Sequence, residues 1–132
     1  IPVGACLVNS CIAEVIKTND LGTTFGGGML AMSAVLATLE AIENEEMIAN
    51  AKRVENHLRE RLQEIKEVVA VHGKGCLIGI DFFSEAKAYH AKLLEHNIIT
   101  GTSSVPNVLR LLPPLCVCVD EIDLMIDVLA TK

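Results

Sequence analysis

The chain has 132 residues, of which 51% are apolar and 21% are charged, and its formal net charge is -6. The high apolar content excludes an intrinsically disordered chain. The 11 Lys and Arg residues, set against 17 Asp and Glu, exclude the basic surface with which proteins bind nucleic acid, so no nucleic-acid partner is expected. Because only 3% of the residues are aromatic, we expect an aliphatic core.

The cysteines and the longest apolar stretch limit the class of protein further. Neither a Cys-x-x-Cys nor a His-x-x-x-His pair is present, so no metal site is expected. Cys116 and Cys118 would share one face of an extended strand, and we favour two buried thiols there over a metal pair. Met29 to Leu39 is too short to cross a bilayer, and no secretory leader is visible. We therefore expect a cytoplasmic protein with no membrane partner.

The first 45 residues look like part of a larger domain. The chain starts at Ile1 in the middle of an apolar run, which suggests a piece of a longer protein. Val3–Val8 is predicted as a strand and Ile12–Lys17 as a short helix. Met29–Ile42 is predicted as a helix that is apolar on nearly every side, which is typical of a buried helix. Such a helix needs more partner surface than a chain of this size readily supplies.

A second helix is predicted after Asn44, its expected N-cap. Its apolar residues fall on one stripe, which predicts a helix with one face against a core; they are Ile48, Ala51, Val54, Leu58, Leu62 and Ile65. Val68–Val71 and Cys76–Phe82 are predicted as strands joined by a tight turn at residues 72–75.

Further helices and strands alternate along the rest of the chain. Ser84 is predicted to cap a helix that ends near Glu95, with Asn97 as its left-handed stop. Extended segments are predicted at residues 98–100, 108–112 and 115–119. Asp120 is predicted to cap a last helix with an apolar stripe formed by Ile122, Met125, Ile126 and Leu129. The pattern predicts an α+β fold, with one domain at residues 1–45 and a second at residues 46–132.

Two places could bind an anion. Thr23 and Thr24 precede three glycines at the start of the Met29 helix, where hydroxyls and backbone N–H groups can hold a phosphate. The spacing matches no known phosphate fingerprint, and on that ground a hydroxyl-capped turn is favoured. Arg110 lies within an aliphatic run that ends in two prolines, where a desolvated guanidinium needs a carboxylate or phosphate partner. An ordinary solvated arginine is an equal alternative at this stage.

Three colinear segments together resemble a known family. They are Ile-Pro-Val-Gly-Ala at 1–5, Gly-Thr-Thr-Phe-Gly-Gly at 22–27 and Asn-Val-Leu-Arg-Leu-Leu-Pro-Pro-Leu at 107–115. The chain resembles the class III aminotransferases, which depend on pyridoxal 5'-phosphate, and within them the acetylornithine aminotransferases. The last segment is the most specific of the three.

The resemblance implies a fold and site roles. Residues 1–45 would be the end of a large cofactor-binding domain of fold type I, linked by a long helix to a small α+β domain at residues 46–132. Thr24, with Thr23 beside it, would bind the cofactor phosphate of the other subunit of a homodimer. Arg110 would bind the carboxylate of the amino acid or of 2-oxoglutarate. The amino donor implied is N-acetylornithine, with ornithine or 4-aminobutyrate as alternatives.

The resemblance also shows what this sequence lacks. The family's Schiff-base lysine would lie just upstream of Ile1, and none of the lysines here stands in that context, so no catalytic residue is assigned and the chain alone is expected to be inactive. Four positions depart from the family pattern: Leu21, Gly28, Met29 and His72. The alternative hypothesis is a free-standing, non-catalytic α+β module that associates through the Met29–Ile42 helix.

Overall fold

The structure is a computed structural model that describes residues 1–131. The chain forms two compact units, Ile1–Ala41 and the residues from Ile42 onward. The helices are α1 (Ser10–Ala13), α2 (Met29–Asn44), α3 (Met47–Leu62), α4 (Ala86–Glu95) and α5 (Val119–Ala130). The strands are β1 (Val68–Lys74), β2 (Leu77–Phe82), β3 (Gly101–Thr102) and β4 (Val108–Leu111). The mixture of helices and antiparallel strands confirms the α+β fold class.

The first unit contains the short helix α1 but no strand among its residues 1–41. The strand predicted at Val3–Val8 is therefore wrong. A strand is held by hydrogen bonds to a neighbouring strand, and every strand that the structure describes lies in the second unit. An apolar run of strand length is not enough by itself. The predicted helix at Ile12–Lys17 is also displaced, because α1 begins at Ser10 and is capped by the Asn9 side chain, which accepts from the Ile12 N–H at 3.1 Å.

Helix α2 begins at Met29, as predicted, and continues to Asn44. Asn44 is thus the last residue of α2 and does not cap α3, whose N-cap is Glu46 in the left-handed conformation. None of the α2 side chains is buried. Met29 is 87% exposed and Leu36 59% exposed, so the apolar surface of this helix stays uncovered in the first unit.

The second unit is built on a four-stranded antiparallel sheet. The strand order is β1-β2-β4-β3, which places β3 at one edge and β1 at the other. Side chains alternate between the two faces of a strand, and Ile78 and Ile80 of β2 are buried together with their β4 partners, Leu111 and Leu109. These four residues mark the core face of the sheet.

Helices α3, α4 and α5 contribute their apolar stripes to the same core. The α5 stripe is confirmed, because all four of its predicted residues are buried: Ile122, Met125, Ile126 and Leu129. The α3 stripe is confirmed from Ala51 onward, but Ile48 is 67% exposed. Ile48 lies in the first turn of α3, one turn before the helix reaches the core. The buried Phe82 ring of β2 stacks on the Tyr89 ring of α4, with ring centroids 3.8 Å apart.

The β1–β2 hairpin turns more tightly than predicted, because β1 runs on to Lys74 and only Gly75 and Cys76 lie between the strands. Gly73 has a φ of +98°, and a Cβ there would collide with the Leu77 carbonyl oxygen. Glycine avoids both the strained backbone and the collision. The turn consequently depends on a residue that has no side chain.

A network between α3 and this hairpin holds the turn in place. The Arg59 guanidinium donates to the Val71 carbonyl at 2.8 Å and to the Gly73 carbonyl at 2.7 Å, and it pairs with Glu55 at 3.0 Å. The Gly75 N–H donates to the other Glu55 oxygen at 2.6 Å. This N–H bond, reinforced by Arg59, lowers the pKa of the Glu55 carboxyl below its ordinary value.

The segment between β4 and α5 corrects two further predictions. Cys116 and Cys118 are exposed, and Val117 between them is buried. The predicted pair of core thiols is wrong, since the segment is not a strand: the Asn50 side-chain amide donates to the carbonyls of Leu115 and Val117 at 2.8 and 2.9 Å and fixes a turn there. Cys118 rather than Asp120 is the N-cap of α5.

Helix α4 and strand β3 also begin later than predicted. The N-cap of α4 is Glu85, while the Ser84 hydroxyl lies 3.2 Å from the Tyr89 hydroxyl. The left-handed residue that follows this helix is confirmed, because Asn97 has a φ of +62°. The predicted strand at residues 98–100 is displaced to β3 at Gly101–Thr102, where β4 offers a partner.

Candidate functional site

Arg110 stands in the middle of β4, on the sheet face opposite to the core. Its neighbours in the strand, Leu109 and Leu111, are buried against the helices. Its cross-strand partners are Gly79 of β2 and Gly101 of β3, and Gly79 in turn pairs with His72 of β1. Because cross-strand partners share a face, His72, Gly79, Arg110 and Gly101 form one row across the open face.

Arg110 is exposed, so of the two alternatives that the sequence left open the solvated arginine is observed and the desolvated guanidinium is not. The run alternates: Leu109 and Leu111 enter the core, and Leu112 is 70% exposed. Apolar composition on both sides of Arg110 therefore does not desolvate it. Within residues 1–131 the Arg110 guanidinium makes no hydrogen bond or ion pair, in contrast to Arg59 and Arg61, which both pair with acids. Its five N–H donors are available to an external oxyanion.

The acid nearest in register to Arg110 is already engaged. Asp81 lies on β2 two residues from Gly79 and is therefore diagonal to Arg110 on the open face. The Asp81 carboxylate accepts a hydrogen bond from His72 Nε2, or pairs with it, at 2.8 Å. Its second oxygen, Oδ1, is buried and has no partner in the described part of the chain. His72 thus draws Asp81 towards β1 and leaves Arg110 without a carboxylate.

Two glycines pair with Arg110, and one of them, Gly101, is a site residue that sequence reasoning missed. A Cβ on Gly101 would lie 3.1 Å from Arg110 Nε and 3.4 Å from its Nη2, so the guanidinium lies across this glycine. Gly79 is a glycine inside a strand, a pattern that indicates close approach of another group. Gly101 carried no such signal, because β3 is only two residues long.

The geometry around Arg110 suits a carboxylate. An exposed guanidinium that has no partner among residues 1–131 offers a planar pair of donors, which matches the two oxygens of a carboxylate. Gly101 leaves free the space that the guanidinium occupies, since a side chain there would crowd it. The row can therefore bind and orient an anionic group.

The Thr23–Gly28 loop of the first unit forms a turn. The Gly26 N–H donates to the Thr23 carbonyl at 3.1 Å, and the Phe25 N–H donates to the Thr23 hydroxyl at 3.3 Å. Thr24 is exposed. Thr23 is thus partly used by its own loop, while the Thr24 hydroxyl faces solvent.

This loop fits a phosphate group. It leads directly into the 16-residue helix α2, which has no acid in its first turn, and the first N–H groups of a helix have no partner within it. A phosphate at this point would meet exposed hydroxyls and the positive end of the helix dipole. The Thr23 hydroxyl accepts from the turn but keeps its own O–H free to donate, so both threonines can donate to a phosphate.

Residues 1–131 contain neither a metal-binding cluster nor a membrane-spanning helix. The side chains of His, Cys, Asp and Glu form no group of three that could hold a metal ion. No helix in that range is both long and apolar enough to cross a membrane.

Comparison with known proteins gives one consistent family. The family model described as "Aminotransferase class-III" matches residues 1–131. The acetylornithine aminotransferase of Archaeoglobus fulgidus is 36% identical over 129 residues, which is 98% of this chain and 33% of that protein. Ornithine aminotransferase 1 of Staphylococcus saprophyticus is 32% identical over 130 residues, or 97% of this chain and 33% of that protein.

Solved structures agree with the sequence relatives. The acetylornithine aminotransferase of Elizabethkingia anophelis has a TM-score of 0.81 at 25% identity, over 94% of this chain and 33% of that one. The ornithine aminotransferase of Plasmodium yoelii has a TM-score of 0.79 at 31% identity, over 94% of this chain and 34% of that one. This chain thus spans about a third of the length of the relatives that it matches. On the match across residues 1–131, the chain belongs to the class III aminotransferases.

Proposed function

We propose that this chain is the C-terminal part of a pyridoxal-phosphate-dependent aminotransferase that moves an amino group between an ω-amino substrate and 2-oxoglutarate. Residues 1–45 would complete the large cofactor-binding domain, and residues 46–132 would be the small domain. The observation that carries the proposal is Arg110, an exposed cation that pairs with two glycines across the sheet and has no acid partner in the described part of the chain. Its role would be to bind and orient the carboxylate that amino acids and oxoacids share.

Thr24, assisted by Thr23, is proposed to bind the phosphate of the cofactor. When bound, pyridoxal phosphate supplies the electron sink for amino-group transfer. In a homodimer of the family type, the loop of one subunit would serve the cofactor of the other. The support for this role is the exposed hydroxyl next to the start of α2.

The amino donor is proposed to be N-acetylornithine, with ornithine or 4-aminobutyrate as alternatives. N-acetylornithine and ornithine are favoured, because the similar proteins include an acetylornithine aminotransferase at 36% identity and an ornithine aminotransferase at 32% identity. Arg110 does not separate these donors, since all of them carry a carboxylate.

We also propose that this chain alone has no aminotransferase activity. The reaction needs a lysine to hold the cofactor covalently. None of the seven lysines here lies in the sequence context that the family has around that residue.

We further propose a cytoplasmic location. The five cysteines are free thiols, and a reducing compartment keeps thiols in that state.

A second function is favoured by one observation, the uncovered apolar surface of α2. A non-catalytic module could associate through this surface. The two proposals differ at Arg110: a module needs no carboxylate bound there, whereas an aminotransferase does.

Binding by Arg110 can be measured on the chain as it is. Arg53, Arg59, Arg61 and Arg110 are its only arginines, so the side-chain Nε–H signals of a 15N-labelled sample give four separate reporters. On titration with 2-oxoglutarate, we expect the Arg110 signal to shift in a saturable way and the other three to stay in place. Arg110→Ala removes the Arg110 signal itself, so that variant is followed through the backbone amides of the cross-strand partners Gly79 and Gly101. These amides should shift with 2-oxoglutarate in the parent chain and in the matched control Arg53→Ala, and they should not shift in Arg110→Ala. Equal responses at all four arginines, or none at Arg110, would contradict the proposal.

Activity can be measured after fusing the chain, in register, to the upstream part of the Archaeoglobus fulgidus relative. The fusion should bind pyridoxal phosphate and transfer amino groups. Arg110→Ala should raise KM for both the amino donor and 2-oxoglutarate by about 100-fold, since each substrate loses the charge-assisted hydrogen bonds between its carboxylate and the guanidinium. Unchanged KM values would remove Arg110 from the site.

A further inference from the structure

We infer that Gly101 is a positioning residue for Arg110: its missing side chain lets the guanidinium lie across the edge strand β3, away from Asp81. This inference rests on the proposed carboxylate-binding role of Arg110. It adds an explanation of why the guanidinium stays free to bind a substrate carboxylate. It concerns a residue that touches neither substrate nor cofactor in the proposal.

The first step is the direction in which Arg110 points. A Cβ on Gly101 would lie 3.1 Å from Nε and 3.4 Å from Nη2 of Arg110, which is inside the 3.5–4.0 Å separation at which non-bonded atoms pack best. A Cβ on Gly79, the partner on the other side, would have Val108 Cγ1 at 3.3 Å as its only neighbour within 4 Å. The guanidinium therefore leans over β3 and not over β2.

The second step is that Gly101 supplies space and not an unusual backbone. The glycines with a positive φ in residues 1–131 are Gly27, Gly73 and Gly75. Gly101 is not among them, so alanine or valine can adopt its backbone conformation without strain. A substitution at Gly101 would act by moving the Arg110 side chain.

The third step is where a displaced Arg110 would go. If a side chain closes the space over β3, the guanidinium swings towards β2, where Asp81 is its diagonal neighbour. Asp81 Oδ1 is buried and lacks a partner among the described residues, so a guanidinium would satisfy it. An Arg110–Asp81 pair would neutralise the cation that the substrate needs. Gly101 thus protects Arg110 from the acid of its own sheet.

The test uses the whole chain and the 2-oxoglutarate titration of the Arg110 Nε–H signal. Gly101→Ala should raise the dissociation constant about 5-fold and Gly101→Val more than about 10-fold, because a charge-assisted pair is weakened in proportion to the displacement. Gly79→Ala is the matched control on the other side of Arg110, and it should change the constant by less than about 2-fold.

A rescue separates positioning from general damage. Adding Asp81→Asn to Gly101→Val removes the competing carboxylate and should restore most of the lost affinity. In the ligand-free Gly101→Val variant, the Arg110 Nε–H signal should already be shifted, and Asp81→Asn should reverse that shift. A merely structural effect of valine would not be reversed by a change at Asp81.

The outcomes are distinct for the proposed function and for this inference. If the backbone amides of Gly79 and Gly101 still shift with 2-oxoglutarate in Arg110→Ala, the carboxylate-binding role fails. If Arg110→Ala abolishes the response while both Gly101 variants bind like the parent chain, the role stands and the inference is overturned. Weakened binding by the Gly101 variants without rescue by Asp81→Asn would overturn it as well. Should Gly101→Val not fold, the same comparisons are made with Gly101→Ala.

Discussion

The two groups proposed to bind anions stand on parts of the molecule with very different packing. Arg110 lies on a sheet whose other face is buried against three helices, and its strand neighbours Leu109 and Leu111 are 0% and 4% exposed. Thr24 lies in a unit where no residue from 1 to 41 is buried. One group therefore has a rigid support within this chain, and the other does not.

The difference does not come from composition, because helix α2 as a whole is about as apolar as helix α5 as a whole. It comes from whether other elements cover the apolar side chains. Helix α5 meets α3 and α4, whereas Leu30 and Leu36 of α2 are 76% and 59% exposed. Helices gain most of their stability from packing of an apolar face, so α2 and its loop should be much less stable than the sheet.

The largest expected effect comes from deleting the same side chain in each unit. Leu62 is 0% exposed, so Leu62→Ala should lower the free energy of unfolding by about 4 kcal/mol through lost burial and the cavity left behind. Leu36→Ala in α2 should change it by less than about 0.5 kcal/mol. Urea denaturation of both variants, followed by circular dichroism, checks the pair. Similar losses for both would mean that the first unit contains a core of its own.

The next largest effect on stability is expected from replacing a glycine by alanine in each unit. Gly73→Ala places a Cβ against the Leu77 carbonyl oxygen at a backbone φ of +98°, and it should cost about 3 kcal/mol. Gly4→Ala is the control, because a Cβ there would meet nothing within 4 Å. The urea concentration at the unfolding midpoint should fall for Gly73→Ala and remain unchanged for Gly4→Ala. A stable Gly73→Ala variant would show that the hairpin turn can rearrange.

The smallest effect is a pH dependence in the α3–hairpin network. The pKa of Glu55 is lowered below 4.5 in the folded state by the Gly75 N–H and by Arg59. The ionised Glu55 carboxylate therefore stabilises the folded state fully above pH 4.5, and this stabilisation is lost as the pH falls through the folded-state pKa. Glu55→Gln should lower the free energy of unfolding at pH 7 by about 0.5 kcal/mol, the size of an i,i+4 ion pair.

The pH series decides whether the Glu55 charge is the cause. The difference between the Glu55→Gln variant and the parent chain should narrow as the pH is lowered from 5 to 3. Glu60→Gln, on the same helix and exposed, should show no such narrowing. A difference that persists at pH 3 would assign the effect to shape and not to charge.

Much of the fold of the second unit could be predicted from periodicity, because its helices have one apolar stripe and one polar face. The stripes of α3 and α5 were predicted correctly apart from Ile48. The failures have a common cause: Val3–Val8 and residues 115–119 were assigned as strands from their composition, although a strand also needs a neighbour to pair with. The sequence of one segment does not say whether that neighbour exists.

Part of the candidate site could also be predicted from periodicity, here the alternation of residues along a strand. The strand that carries Arg110 and the face on which it lies follow from the alternation of residues 108–112. That Gly79 and Gly101 flank it depends on the register of three strands, and the loop at 103–107 does not determine that register. The alternation does not decide whether Arg110 is solvated, because Val108 and Leu112 share its face. In the structure Val108 is half-buried and Leu112 is 70% exposed, so they do not cover the guanidinium.

Native-state hydrogen exchange on the whole chain tests most directly whether Arg110 has a rigid support that Thr24 lacks. In one measurement it reports the opening free energy of each backbone amide. We expect the amides of β2, β4 and α3 to exchange only through global unfolding, and those of α2 and the Thr23–Gly28 loop to exchange orders of magnitude faster. Protection of α2 equal to that of β4 would contradict the account.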